Sequence, residues 1–209
     1  MILYGRDLSP YARRIDIWCA LQGRTVERRK IAPMGETWGE VRAHNPVGRV
    51  PVLVLEDGTE LIETWAICDW LEETAPDGKR LIPAEGVTRR DCMQRLALAN
   101  SVTEKTVAMV YEKNRRPEQY QFPDWQERLT TQVRSGLAAM EQKVQDEAGV
   151  DGFFGGKTPD GSDVAFAVAY QMLEATNPWL IEPAAPALAA HAARLAEAVP
   201  LFAETVPQV

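Results

Sequence analysis

The sequence predicts two units in tandem: a small α/β unit ordered β-α-β then β-β-α, and behind it an all-helical unit. Three observations predict this. A strand–helix–strand pattern fills the first 31 residues, an Asp57-Gly58 hairpin signal follows, and after about residue 86 every periodic stretch is helical. The 209 residues suffice for one large domain or two small ones, and 45% hydrophobic with 25% charged residues is ordinary for a soluble globular protein.

Met1–Gly5 (MILYG) is a short apolar run ending in glycine, the pattern of a buried strand. Ser9-Pro10 opens a helix, because serine is a favoured N-cap and proline is tolerated at the first helical position. That helix spans Pro10–Leu21 and stops near Gly23; Thr25–Ile31 is β-prone and returns as a second strand. After a connecting loop, Val50–Leu55 is a strongly apolar strand, Asp57-Gly58 is a two-residue turn and Glu60–Ile62 pairs back. Glu63–Glu73 reads as a helix, Pro76-Asp77-Gly78 ends the unit and Lys79–Pro83 serves as a linker. The expected division is 1–76, a linker at 77–85, and 86–209.

In the second unit Cys92, Leu96, Ala99, Thr103, Val107 and Val110 fall on one face of a long helix. Trp125, Leu129, Val133, Leu137, Met140 and Val144 do the same for the next. Val164–Leu173 is apolar nearly all round, the mark of a buried central helix, and Leu188, Ala192, Leu195 and Val199 mark a last one.

A formal net charge of −7 argues against nucleic acid as the main partner. Residues 1–50 nevertheless carry nine Lys/Arg against five acids. A cationic first quarter on an acidic protein suits a small anionic ligand, and reads equally as uneven surface solvation. Cys19, Cys68 and Cys92 are odd in number, lack C-x-x-C spacing and sit in apolar helical stretches, so they read as reduced structural thiols of a cytoplasmic protein. No run resembles a signal peptide or approaches the roughly 18 apolar residues of a membrane span. His44 and His191 lie far apart, so no metal is expected, and Gly155-Gly156 lacks the spacing of a phosphate loop.

The segment Asn45-Pro46-Val47-Gly48-Arg49-Val50-Pro51-Val52-Leu53, followed twelve residues after Pro51 by Glu63-Thr64, carries the chemistry. Pro51 opens a strand without an N–H to donate. With a cis Val50–Pro51 bond, the amide and carbonyl of Val50 turn outward and can pair with an extended peptide ligand as an added strand would. With a trans bond, the same residues are an ordinary entry to a strand. Glu63-Thr64 lies at a helix start, where free N–H groups and the dipole favour a ligand carboxylate. The Thr64 hydroxyl adds a hydrogen bond and the Glu63 carboxylate pairs with an ammonium, matching the α-amino-acid end of a γ-glutamyl group. Read without that context, the pair is a plain acidic helix start.

Together these residues resemble the N-P-x-G-(K/R)-V-P-x-L … E-(S/T) pattern of the glutathione S-transferase superfamily, over roughly residues 1–75. The resemblance implies a thioredoxin-like N-terminal domain and an all-α C-terminal domain, in a cytoplasmic homodimer with a role in detoxification. By position it implies that Val50, before the cis-proline Pro51, pairs with the cysteine backbone of glutathione. Glu63 and Thr64 hold the γ-glutamyl end. Arg49 reaches the glycyl carboxylate, with Trp38 and Arg42 as neighbours.

Ser9-Pro10-Tyr11-Ala12-Arg13 resembles the S-P-x-x-R helix start of serine-type members, which makes Ser9 the hydroxyl that activates the glutathione thiol. Ser9 also reads as a simple cap, with Tyr11 and Tyr4 as competing donors; Arg13 reads either as electrostatic support or as an exposed helical arginine. Asp160-Gly161-Ser162-Asp163 resembles the family's capping box, a folding signal without chemistry. An interdomain second-substrate pocket walled by Tyr11, Glu104, Val107 and Tyr111 is expected. The reaction implied is attack of the glutathione thiolate, stabilised by Ser9, on a small apolar electrophile or a hydroperoxide. A non-catalytic binding or regulatory protein, and a glutathione-dependent thiol-disulfide reductase using Cys19 or Cys92, are the alternatives.

Overall fold

The computed structural model describes residues 1–149, 152–181 and 185–208. They form two compact units, Met1–Ala84 together with Ala196–Gln208, and Glu85–Leu195.

The first unit is thioredoxin-like. Four strands, β1 (Ile2–Tyr4), β2 (Glu27–Arg29), β3 (Val52–Val54) and β4 (Glu60–Ile62), make a mixed sheet in the order β2-β1-β3-β4. β1 is parallel to β2 and antiparallel to β3, and β3 is antiparallel to β4 with Val52 opposite Ile62. Helices α1 (Pro10–Leu21) and α3 (Thr64–Glu73) pack on each other, and Ile15, Trp18, Ile67 and Leu71 join Leu3, Val52 and Leu53 in a fully buried core. Ser9 caps α1 as its side chain accepts from Ala12 N at 3.3 Å, with Pro10 in the first turn. Gly5 is required by close approach, because a Cβ there would overlap the Cβ of Ala12.

The connector between β2 and β3, expected as a loop, contains a 3-10 turn (Gly35–Thr37) and helix α2 (Trp38–His44). Seven residues are too few for a periodic apolar stripe, and only Val41 of α2 is buried, so the pattern gives no helical signal there. Past α3 the linker is stapled by Glu72. Its buried carboxylate accepts from Trp18 Nε1 (2.8 Å), Gln22 Nε2 (3.0 Å) and the backbone N–H groups of Leu81 and Ile82.

The second unit is helical: α4 (Gly86–Arg115), α5 (Pro123–Glu147), α6 (Gly161–Thr176) and most of α7 (Pro186–Ala198). α6 is buried along Gly161–Tyr170, and α4 packs against both α5 and α6. Asp160 and Asp163 form the reciprocal capping box, with Asp160 Oδ1 accepting from Asp163 N at 3.2 Å and Asp163 Oδ2 from Asp160 N at 2.7 Å. Arg95 reaches this corner, donating to Ser162 Oγ (2.9 Å) and Glu147 (3.1 Å), with its guanidinium 4.5 Å from the Phe154 ring centroid.

Two faces differ from the periodicity. On α4 the buried stripe continues through Val102, Thr103, Thr106 and Met109, leaving Val107 and Val110 half-buried. The threonines suit the interior because their hydroxyls bond back to Ala99 O and Val102 O at 2.8 and 2.9 Å. On α5, Trp125 is 41% exposed. The division also differs at the C-terminal end, where Ala196–Gln208, with the short helix α8 (Pro200–Glu204), belongs to the first unit.

Candidate functional site

The site is built at one end of the β3–β4 hairpin. Because Val52 faces Ile62, the chain just before β3 and the chain just after β4 emerge side by side. The first carries Arg49, Val50 and Pro51; the second carries Glu63 and Thr64. Arg49 Nη1 and Glu63 Oε1 lie 3.4 Å apart across the gap, both about half exposed. This pairs two groups expected to hold opposite ends of a ligand.

The approach to Val50 is shaped by Asn45, which is fully buried. Its Nδ2 donates to Arg49 O at 2.9 Å, and its Oδ1 accepts from Val47 N at 3.0 Å. Gly48 closes the turn with φ 68°, and a Cβ there would run into Trp38 Nε1 and lie 3.1 Å from Arg42 Cγ. The Arg42 guanidinium sits 4.9 Å from the Trp38 ring centroid, so this pair flanks the turn. The Val50–Pro51 bond is cis, and among the described residues the amide and carbonyl of Val50 take no protein hydrogen bond.

Glu63 holds φ 67°, the one non-glycine positive φ among the described residues. It precedes α3 without a side-chain cap, so among the described residues the first N–H groups of α3 have no capping acceptor. Thr64, buried to 6% exposure, begins the helix.

Ser9 lies at the start of α1, partly buried. Its cap bond uses an oxygen lone pair, accepting from Ala12 N, and leaves the hydroxyl proton to donate elsewhere. The cap role and the donor role are therefore compatible at one residue. Tyr4 lies against His44, ring centroids 4.4 Å apart and planes tilted by 38°. Arg13 is the residue that local pattern reads least well: it is fully buried, not an exposed helical arginine. Its Nε donates to Thr205 Oγ1 (3.1 Å) and its Nη2 to Phe202 O (2.5 Å), and its guanidinium lies 4.2 Å from the Phe202 ring centroid. Burial lowers its pKa to about 10.

Of the residues expected to wall a second-substrate pocket, Tyr11 is on α1, partly buried, and the other three are on α4. Glu104 is exposed and paired with Lys105. Tyr111 lines a cleft of about 780 Å³ with Ala108, Glu112, Arg115, Arg116, Pro117 and Tyr120; Glu104 and Val107 do not. Tyr120 lies on a 3-10 turn, Glu118–Tyr120, beyond the end of the helical period, where no sequence pattern marks it. The three thiols, at most 5% exposed, are pushed by burial up to about 12. Among the described residues no group of His, Cys, Asp or Glu is placed to hold a metal, and no helix is long and apolar enough to cross a membrane.

Comparison with known proteins bears on the same residues. Residues 3–80 match the family model "Glutathione S-transferase, N-terminal domain", and residues 123–194 match "Glutathione S-transferase, C-terminal domain". A curated relative, glutathione S-transferase GstA of Escherichia coli O157:H7, is 29% identical over 105 residues, which is 50% of this chain and 49% of that protein. A glutathione S-transferase of Methylobacterium radiotolerans, in complex with glutathione sulfonate, superposes with TM-score 0.88 at 27% identity over 100% of this chain and 95% of that one. One from Methylobacillus flagellatus, with glutathione bound, gives TM-score 0.85 at 28% identity over 99% of this chain and 98% of that one. With both halves matched over well more than half of its length, on a fold and a Val50–Thr64 end that fit, the chain belongs to the glutathione S-transferase superfamily.

Proposed function

We propose that the protein is a glutathione transferase of the serine-motif type, in which Ser9 activates the thiol of bound glutathione for attack on an electrophile. The observation that carries the reading is the unpartnered amide and carbonyl of Val50 at the same hairpin end as the uncapped start of α3. An extended tripeptide pairs there through its cysteine backbone, as an added strand. Its γ-glutamyl carboxylate meets the α3 N–H groups and the Thr64 hydroxyl, and its ammonium meets Glu63. Arg49 leaves its exposed bond to Glu63 for the glycyl carboxylate, an exchange costing little because exposed pairs are worth about 0–1 kcal/mol.

The Ser9 proton then donates to the sulfur, next to the positive end of α1, and lowers the thiol pKa from an ordinary value of about 8.5. The thiol proton passes to solvent, and the thiolate attacks the electrophilic carbon, forming the thioether C–S bond as a halide leaves or an epoxide C–O bond opens and its oxygen takes up a proton. Pro51 holds the strand start free of a competing donor. The electrophile is proposed to meet Tyr111, which opens onto a cleft of the helical unit. By the habit of the family the protein works as a cytoplasmic homodimer in detoxification.

The buried, high-pKa thiols favour a transferase over a thiol-disulfide reductase, which needs an exposed thiolate. Calorimetric titration with glutathione, followed by a panel of aryl halide, epoxide and hydroperoxide substrates, tests the reading. Binding that weakens in Thr64→Val and conjugation that falls in Ser9→Ala are expected. No heat of binding, or full conjugating activity in Ser9→Ala, would refute it.

A further inference from the structure

We infer that Arg13 is a positioning residue that couples the C-terminal segment, through α8, to the Ser9 hydroxyl; the inference rests on Ser9 activating the thiol, as proposed above. The two residues share the first turn of α1, and Arg13 N bonds to Ser9 O at 3.0 Å. The Arg13 guanidinium reaches α8 and the residue after it. It donates to Thr205 Oγ1 and Phe202 O and stacks on the Phe202 ring. Thr205 is itself fixed, its hydroxyl donating to Leu201 O at 2.7 Å. A fully buried guanidinium with planar, fork-like donors fits one arrangement of its partners, so moving α8 moves Arg13, and with it the turn that Ser9 caps.

The loop entering that turn meets the same segment. Arg6, Asp7 and Leu8 line a cavity of about 380 Å³ with Lys30, Glu204, Val206 and Gln208. On the sheet side the loop is tied down: Asp7 accepts from Arg28 (2.6 Å) and Lys30 (2.8 Å), and Arg28 also pairs with buried Asp16. The residues ahead of Ser9 are thus anchored by β2 on one side and bounded by the C-terminal segment on the other. Arg13 is a direct tie from α1 to that second side. The glutathione contacts proposed at Val50, Glu63 and Thr64 belong to other elements, so loosening the Arg13 tie disturbs the thiol more than the affinity.

The test reads the pKa of the enzyme-bound glutathione thiol from thiolate absorbance against pH, beside glutathione affinity and thermal stability. Arg13→Lys keeps a charge and removes the fork; Thr205→Val removes one partner, and Thr205→Ser restores its hydroxyl. Arg13→Lys and Thr205→Val are expected to raise the bound thiol pKa by about half to one unit. They should lower kcat near neutral pH severalfold and change glutathione affinity less than threefold. Thr205→Ser recovers the parent pKa, and in a Ser9→Ala background Thr205→Val shifts nothing further.

A bound thiol pKa unchanged in Thr205→Val or Arg13→Lys overturns the inference, whatever happens to stability. If Arg13→Lys does not fold, the Thr205 pair carries the test alone. Ser9→Ala separates the two failures. Should it leave the thiol pKa unmoved, the Ser9 reading falls and takes this one with it. Should it raise the pKa while the Thr205 variant does not, only the coupling fails.

Discussion

Glu63 offers a perturbation in which stability and binding move in opposite directions. Its φ of 67° places a non-glycine residue in the left-handed region, a conformation costing about 1–3 kcal/mol. Glu63→Gly removes that strain, but adds unfolded-chain freedom worth about 0.4–1 kcal/mol. It also loses the exposed bond to Arg49, worth at most about 1 kcal/mol. The balance is a gain of about 1 kcal/mol, read as a melting temperature higher by about 2–4 °C. Glutathione binding loses a charge-assisted hydrogen bond of about 1.5–3 kcal/mol, so the dissociation constant rises about 10- to 100-fold. Glu63→Gln separates the two effects, since it keeps the strained backbone and the side-chain shape while removing the charge. It should weaken binding comparably with stability unchanged to about 0.5 kcal/mol. Urea unfolding and calorimetric titration of the three proteins decide it. A Glu63→Gly protein less stable than the parent, or one binding glutathione within twofold of it, would refute the reasoning.

Gly48→Ala should cost about 1 kcal/mol from its φ of 68°, since the exposed Trp38 can swing aside, and should weaken glutathione binding as the turn before Arg49 shifts; urea unfolding and titration check both. Arg95→Met leaves Asp160 and Ser162 buried without their cation and should cost about 3–5 kcal/mol by denaturant midpoint. With thiols near 12, at pH 8 only about one in 10,000 is ionised in the native fold, and that fraction rises tenfold per pH unit below the pKa. A disulfide reagent such as Ellman's should therefore leave Cys19, Cys68 and Cys92 unmodified in the native protein, and titrate all three once guanidinium unfolds it.

What could be read from the sequence was whatever local chemistry decides. α1 begins and ends where Ser9-Pro10 and Gly23 put it, because caps act within one turn. β4 falls at Glu60–Ile62 as expected, but the turn is not the two residues Asp57-Gly58. Leu55 N bonds to Thr59 O at 2.9 Å, so three residues, Glu56, Asp57 and Gly58 with φ 86°, make the loop, and Val54 faces Glu60, one residue off the two-residue register. The runs expected at Met1–Gly5, Thr25–Ile31 and Val50–Leu55 shrink to three paired residues each, since sequence marks extended backbone while a neighbour decides how much of it pairs. In the candidate site the motif around Pro51 and Glu63-Thr64 was legible as a linear pattern. The bond between Arg49 and Glu63, and the left-handed backbone of Glu63, were not, because both arise from the way two strand ends emerge together. Arg13 was the hardest to read: its partner Phe202 lies 189 positions away, beyond the reach of any periodicity.

That distance bears on the order in which the protein comes into being. A unit drawn from Met1–Ala84 and Ala196–Gln208 is discontinuous, so its second piece is translated only after α4, α5, α6 and most of α7. During synthesis α1 exists long before its cover does, and a guanidinium that ends with no exposure waits in water for Phe202 and Thr205. Vectorial folding, in which an N-terminal domain completes itself first, does not apply to such a chain. A fragment comprising the first 84 residues would carry the whole sheet and still lack its last layer.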